Sequence, residues 1–199
     1  MDLLKAIKDR RSVHRFLEKM PPNELLFELI EYAVMAPNAM NRQDWRFTLI
    51  RSHKVKKQIS SVVEKKWSQS CDGESGIDDP IKTYAGKFIS FVSAPVLIMA
   101  DIKKPPRFLI KRYGENAAKI TGSYASACMA VQNLLLASHD KGLGTCVYSG
   151  FLAAENEVKQ ILNISDKREL VCLIALGYPD ENPLPPGRND IKHILTIID

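Results

Sequence analysis

Apolar positions recur at helical spacing along much of this chain. Leu3, Leu4 and Ile7 share one face of a first helix, with Asp2 placed to cap it. Pro21-Pro22-Asn23 opens a second helix, whose face carries Leu25, Leu26, Leu29, Ile30, Ala33 and Val34 and which Pro37 ends. Val55, Ile59, Val62, Val63 and Trp67 predict a third helix over Lys54–Trp67. The stretch from about Asn116 to His139 carries alanines beside Leu134, Leu135 and Leu136 and is apolar around most of its circumference. It predicts a helix buried on several sides, terminated by Gly142 and Gly144. Glu155–Leu162 is a short helix.

Trp45–Ile50 reads as a strand, and the apolar runs Pro95–Ala100 and Leu170–Leu176 predict buried strands. Cys71–Pro80, Lys103–Pro106 and the proline-rich Tyr178–Arg188 are loops or turns, and His193–Ile198 is a candidate final strand. Strands alternating with more numerous helices predict an α+β or α/β layered domain. At 199 residues the chain suits one domain with a core of its own, needing no disulfide staples.

The composition, 45% hydrophobic and 26% charged, is that of a globular protein. No apolar run reaches the roughly 18 residues that a membrane span needs, so no membrane partner is expected. The N-terminus lacks a signal-peptide layout, which makes the cytoplasm the expected location. Cys71, Cys128, Cys146 and Cys172 form no Cys-x-x-Cys pair, so no metal site is expected, and Cys128 and Cys172 read as small core residues. A net charge of +5 fits an anionic partner, phosphate or nucleic acid, or simply solvated basic helix faces and loops. No nucleic-acid motif accompanies it, and no nucleic-acid partner is expected.

Four clusters carry candidate chemistry. In Arg10-Arg11-Ser12-Val13-His14-Arg15-Phe16, guanidinium groups and a hydroxyl can bind phosphate, although a basic helix end also serves to balance the helix dipole. In Ala36-Pro37-Asn38-Ala39-Met40-Asn41-Arg42-Gln43-Asp44-Trp45-Arg46-Phe47, amides that donate and accept complement a flavin edge, or else satisfy a polar turn. In Gly142-Leu143-Gly144-Thr145-Cys146-Val147-Tyr148-Ser149-Gly150-Phe151, the glycines allow close approach to a flat ligand, or simply cap a helix before a strand. Gly177-Tyr178-Pro179 with Arg188 brings a further guanidinium from the C-terminal end, or a plain surface arginine.

In this order along the chain, from about Leu3 to Arg188, the clusters resemble the nitroreductase (NADH oxidase/flavin reductase) family. The resemblance implies an α+β, three-layer α/β sandwich with a central mixed sheet flanked by helices, a single domain over 1–199, and an intertwined homodimer holding FMN at its interface. It implies phosphate and ribityl contacts from Arg10, Arg11 and Ser12, with Arg188 as a second phosphate arginine. His14 stands where the family often has Arg or Lys. Pro37, Asn38, Ala39 and Asn41 would lie along the flavin from the partner chain, and Val147, Tyr148, Ser149 and Gly150 beside its ring. Asp44 replaces the family's usual proline, which puts the local loop geometry in question. The implied activity is hydride transfer from NADH or NADPH through flavin N5 to a nitroaromatic, quinone or flavin acceptor, with no side-chain nucleophile and with Cys146 as a packing residue. Dehalogenation and a non-catalytic flavin carrier or sensor are the competing readings. The region from about 65 to 113 matches the family least. It is expected on the substrate side, where Trp67, Tyr84, Phe88, Phe108 and Tyr113 are candidates for stacking on a planar substrate. The resemblance gives the tail from about 189 to 199 no role; its segment His193–Ile198 is a candidate to add a strand to the partner's sheet.

Overall fold

The computed structural model describes residues 2–71, 89–117 and 121–198. Helix α1 (Leu3–Asp9) is capped by Asp2, whose carboxylate accepts the Lys5 N–H. Helix α2 (Asn23–Val34) follows the prolines and buries Leu26, Leu29 and Ala33. Strand β1 (Trp45–Ile50) leads into α3 (His53–Cys71), so Cys71 ends a helix where a loop was expected. The rest of that expected loop, with Tyr84 and Phe88, lies outside the described residues. Strand β2 (Val96–Lys103) is buried along all but its last residue.

A short helix α4 (Arg107–Tyr113) follows the Lys103–Pro106 turn and was not anticipated. The long central helix, α5 (Ser123–Asp140), begins later than the expected Asn116. Gly122 takes a left-handed φ of 68° immediately before it, which no continuous helix admits. Lys141 caps it and Gly142 turns the chain with φ 76°, whereas Gly144 opens strand β3 (Gly144–Tyr148) instead of helping to end the helix. Helix α6 (Glu155–Leu162) and strand β4 (Arg168–Gly177) complete the layers.

The sheet order is β1-β2-β4-β3, with every neighbouring pair antiparallel. A parallel bridge between Ser12 and Thr145 makes it mixed at the β3 edge. Side chains alternate along the strands. Leu97, Met99, Leu173 and Ala175 face a core shared with Ile59, Val63, Phe151 and Val158 from the α3 and α6 layer. Val96, Ile98, Ile174 and Leu176 face Leu26, Leu29, Ala127 and Leu134 from the α2 and α5 layer. The register slips between Ala100 and Asp101, a β-bulge that leaves Asp101 fully buried.

Two expectations fail in this packing. Cys128 is exposed on α5, not in the core, because that helix buries one face only within a chain; Cys172 is buried as expected. The tail forms a 3-10 turn at Ile191–His193 and no strand with the rest of the chain; Ile194, Leu195, Ile197 and Ile198 are exposed. Among the described residues no helix is long and apolar enough to cross a membrane.

Candidate functional site

The segment after α1 becomes an extra edge of the sheet. Val13 N–H donates to Thr145 O at 3.0 Å, and Phe16 bridges Pro179 antiparallel. Leu17 N–H donates to Tyr178 O at 2.9 Å and Asp180 N–H to Arg15 O at 3.0 Å, so the segment is stitched to β3 on one side and to the C-terminal loop on the other. The segment buries Val13 and Phe16 and leaves Ser12, His14 and Arg15 exposed. Gly144 is what permits this fit, since a Cβ there would lie 2.8 Å from the Val13 side chain.

Glu181 holds the segment in place. Its carboxylate accepts the main-chain N–H of both His14 and Arg15, and it pairs with the Arg15 guanidinium at 3.3 Å. The His14 N–H above all holds this carboxyl below the usual range. Around the His14 ring, Tyr148 OH lies 3.3 Å from Nδ1, and Cys146 Sγ lies 3.7 Å from Nδ1 and 4.0 Å from Nε2. Tyr148 OH is also 2.9 Å from Ser90 Oγ. Burial pushes the Cys146 thiol up, so it stays protonated, as a packing residue should.

A cleft of about 190 Å³ lies alongside, walled by Arg10, Arg11, His139, Thr145, Glu181 and Asn182 among others. His139 Nε2 is buried there without a hydrogen-bond partner. The Arg10 and Arg11 guanidinium groups give this cleft phosphate-binding donors; Arg11 also donates to the Lys8 and Arg10 carbonyls, and the carboxylates of Asp9 and Glu181 share the wall. Arg188 is exposed, donates to the adjacent Gly187 carbonyl and is not a wall of this cleft.

The amide loop is built elsewhere. It turns through a 3-10 segment, Ala39–Asn41, and Met40, Asn41 and Gln43 take left-handed φ values of 55°, 51° and 47°. Such non-glycine conformations persist only where the surroundings impose them. Here Asn38 Oδ1 accepts the Gln43 N–H at 2.9 Å, and Asn41 Oδ1 accepts from Gln43 Nε2 at 3.2 Å. Arg42 Nη2 donates to Thr121 O and Ser123 Oγ, each at 2.8 Å, and pairs with Asp44 at 2.9 Å. Ser123 Oγ–H closes the ring by donating to Asp44 at 2.8 Å. Asp44, the departure from the family pattern, thus clasps the loop onto the start of α5. Ala39 N–H donates to Ser126 Oγ at 3.4 Å in the same place.

One chain therefore brings Arg10, Arg11, Ser12, His14 and β3 together but sets Pro37, Asn38, Ala39 and Asn41 apart from them. The loop touches α5 at Ser126, while the Arg10 cleft reaches it at His139. At 1.5 Å per residue these contacts lie about 20 Å apart along the helix. Val147 is exposed, Tyr148 is buried, and Ser149 and Gly150 enter a 3-10 turn, with Gly150 O accepting Trp67 Nε1–H at 3.0 Å. That bond places Trp67 in the structural packing, whereas Phe108 and Tyr113 are exposed. Sequence reasoning missed Glu181, Ser90 and the Arg42–Asp44–Ser123 clasp. An acid two residues past Pro179, opposite a cationic segment, was the available signal for the first.

A model described as the Nitroreductase family matches residues 7–178. The chain belongs to that family. It is 30% identical to an iodotyrosine deiodinase of Thermotoga neapolitana over 92% of each chain. It is 29% identical to a putative NADH dehydrogenase/NAD(P)H nitroreductase of Methanothermobacter thermautotrophicus, covering 92% of this chain and 80% of that one. Among solved structures, oxidized iodotyrosine deiodinase bound to FMN and 3-iodo-L-tyrosine superposes with a TM-score of 0.75 at 28% identity, over 100% of this chain and 98% of the other. The nitroreductase-like layered fold expected from the sequence is thus the fold observed.

Proposed function

We propose that this protein is an FMN-dependent NAD(P)H oxidoreductase of nitroreductase type that works as a homodimer. The observation that carries the reading is the separation within one chain. The cationic edge segment and the strained amide loop engage opposite ends of α5, so a single flavin flanked by both takes them from two chains. Exposed apolar side chains on α1, α2, α5 and the tail, including Leu4, Phe27, Met129 and Ile197, supply surface for such an interface.

Arg10, Arg11 and Ser12 would hold the phosphate and ribityl chain, with Arg188 as a further phosphate contact. His14 and the Val147, Tyr148, Ser149 and Gly150 turn would flank the ring, and Pro37, Asn38, Ala39 and Asn41 of the partner would close over it. When bound, FMN supplies hydride transfer between NADH or NADPH and a nitroaromatic, quinone or flavin acceptor. The chain's own work is to orient the ring, to place positive charge near its pyrimidine edge, and to keep water out. Dehalogenation is the second reading, favoured by the 30% identity to an iodotyrosine deiodinase.

The test is a visible spectrum of the purified protein before and after adding FMN, then anaerobic addition of each pyridine nucleotide. Flavin absorbance that bleaches with NADH or NADPH, and returns on adding a nitroaromatic or quinone, is the expected result. Bound FMN that neither nucleotide reduces would instead indicate a carrier, and turnover of halotyrosine by the reduced protein would indicate a dehalogenase. Protein that takes up no FMN overturns the reading. Arg10→Ala and Arg188→Ala should each weaken FMN binding roughly ten- to hundredfold.

A further inference from the structure

We propose that the basic segment Lys103–Arg112 selects NADPH over NADH by holding the phosphate on the 2′-oxygen of its adenosine ribose. The selection rests on the function proposed above, while capture of that phosphate stands on the segment's own cavity and charges.

Lys103, Lys104, Arg107, Lys111 and Arg112 follow one another with no Asp or Glu between them, and together they match the whole net charge of +5. A firmly held turn carries the first two. Lys103 N–H donates to Asp44 O at 3.0 Å, Lys104 N–H donates to Lys167 O at 2.9 Å, and Pro105 is buried. A cavity of about 370 Å³ opens between this turn, the amide loop and the start of α5, with Arg42, Asp44, Lys103, Lys104, Pro106 and Ser123 in its wall. Arg42 is engaged inside that wall by Asp44, Ser123 Oγ and Thr121 O. Asp44, the acid among the described residues of the wall, is taken up by Arg42 and Ser123. Those two charges cancel, so the positive charge of the cavity comes from Lys103 and Lys104. On its other side Lys104 borders a second depression that holds Asp166 and Lys159. Lys159 pairs with Glu155, and among the described residues Asp166 makes no ion pair with Lys104.

Helix α4 carries the charge onward by about 10 Å. Its first turn holds Arg107 and no acid, although the positive end of the helix dipole favours one there. Lys111 stands one turn beyond Arg107, where like charges repel. The helix buries no residue and has no side-chain cap, so its own packing does not offset this repulsion. Among the described residues, Lys103, Lys104, Arg107 and Lys111 have no ion pair or side-chain hydrogen bond. On the adjoining face Phe108 is 68% exposed, a ring on which a base can stack, and Arg112 follows it by one turn.

NADH and NADPH share a diphosphate, in which each phosphate carries one charge. The 2′-phosphate is a monoester with up to two charges and three free oxygens, so it gains most from a dense group of cations. Lysine ammonium groups meet it as point charges, and Arg107 can add a paired contact. The amide loop supplies part of the cavity wall. A dinucleotide whose nicotinamide lies under that loop would therefore extend its adenosine end along α4.

Calorimetry with adenosine 2′,5′-bisphosphate and adenosine 5′-monophosphate isolates the 2′-phosphate and needs no flavin turnover. The wild type should bind the bisphosphate roughly tenfold more tightly, a difference that shrinks as salt is raised. Equal affinities overturn the proposal, and this comparison decides it whatever the variants do to folding. The double variant Lys104→Gln/Arg107→Gln should remove most of the difference, while Lys57→Gln, at an exposed cation on α3, should keep it. A double variant that keeps the full difference overturns the placement, and so does a Lys57→Gln that loses it. With FMN bound, wild-type kcat/KM should be roughly tenfold higher for NADPH than for NADH, and the double variant should bring the two together. Equal use of both nucleotides by the wild type overturns the selection. A double variant that loses both equally assigns the segment to the shared diphosphate, and one that loses only a carboxylated nitroaromatic assigns it to the acceptor; either result overturns the proposal. Reduction by neither nucleotide overturns the function proposed above and the selection with it, whereas the calorimetric difference stands or falls by itself.

Discussion

Replacing Asp101 with Asn should destabilise the protein more than any surface change, for a reason that connects the core to the amide loop. Asp101 is fully buried in β2, where the pairing with β4 skips Val171. Its carboxylate accepts from Arg46 Nε at 3.2 Å and from Arg168 Nε. Arg168 Nη2 donates onward to the carbonyl of Asp44 at 2.9 Å. The two arms differ in worth. The Arg46 side chain is 47% exposed, so its arm contributes under about 1 kcal/mol. The Arg168 side chain is only 18% exposed, and removing the charge opposite such a group typically costs about 3–5 kcal/mol. Asn keeps one acceptor oxygen, which returns about 1 kcal/mol. The net expectation is a loss of about 2–4 kcal/mol, or a fall in Tm of roughly 5–15 °C for a chain of this size. Urea unfolding followed by circular dichroism at one fixed protein concentration measures it, with the m-value checked for constancy. A loss under about 1 kcal/mol would refute the reasoning, because it would mean that water already screens the Arg168–Asp101 pair.

Three further outcomes follow from the site. Gly144→Ala sets a methyl 2.8 Å from Val13 and should cost about 1–3 kcal/mol while prising the Arg10–Phe16 edge from β3; calorimetry and FMN titration together should show both losses, and an unchanged FMN affinity would detach that edge from the cofactor. Asp44→Ala opens the clasp with Arg42 and Ser123, and, because Arg42 is partly exposed, should lower stability by no more than about 1 kcal/mol while weakening FMN binding several-fold; a large fall in Tm with unchanged affinity would make the clasp purely structural. Glu181 has its folded pKa lowered, so the stability it adds is present above the ordinary value of 4.5 and is lost as the pH falls through the lower folded value; Glu181→Gln should therefore flatten the acid limb of the stability curve, and identical limbs would show that the His14 and Arg15 bonds are worth nothing to folding.

What could be read from the sequence was what local chemistry punctuates. Trp45–Ile50 and Glu155–Leu162 fall where they were expected, and α2 starts at the prolines that announce it. The start of α5 was misplaced because the apolar pattern continues through residues that Gly122, in its left-handed conformation, excludes from the helix. Helix α4 was missed because it is short, has no side-chain cap and buries no residue. At the site the same division holds. Arg10, Ser12 and His14 are neighbours in sequence, and a strand alternation is enough to set them on one edge. Glu181 meets His14 across 167 positions, and Arg42 meets Ser123 across 81, so only the folded chain reveals which acid and which hydroxyl hold the two halves in place.

The same distance argument explains why α5 misled in a second way. Its composition predicts a helix buried on several sides, yet Tyr124, Cys128 and Met129 are exposed while Ala127, Ala130 and Leu134 are buried. A helix with apolar residues on an unburied face, in a chain that also exposes Leu3, Leu4 and Ile7 on α1 and Ile194, Ile197 and Ile198 in the tail, has more apolar surface than one domain covers. The two-fold partner proposed above would account for that surface and would also bring an amide loop from the far end of a second α5 toward the Arg10 edge of the first. Apolar excess and divided site would then be consequences of one assembly. Sedimentation of the apoprotein at micromolar concentration should accordingly give a dimer, and a monomer there would leave both observations without their common cause.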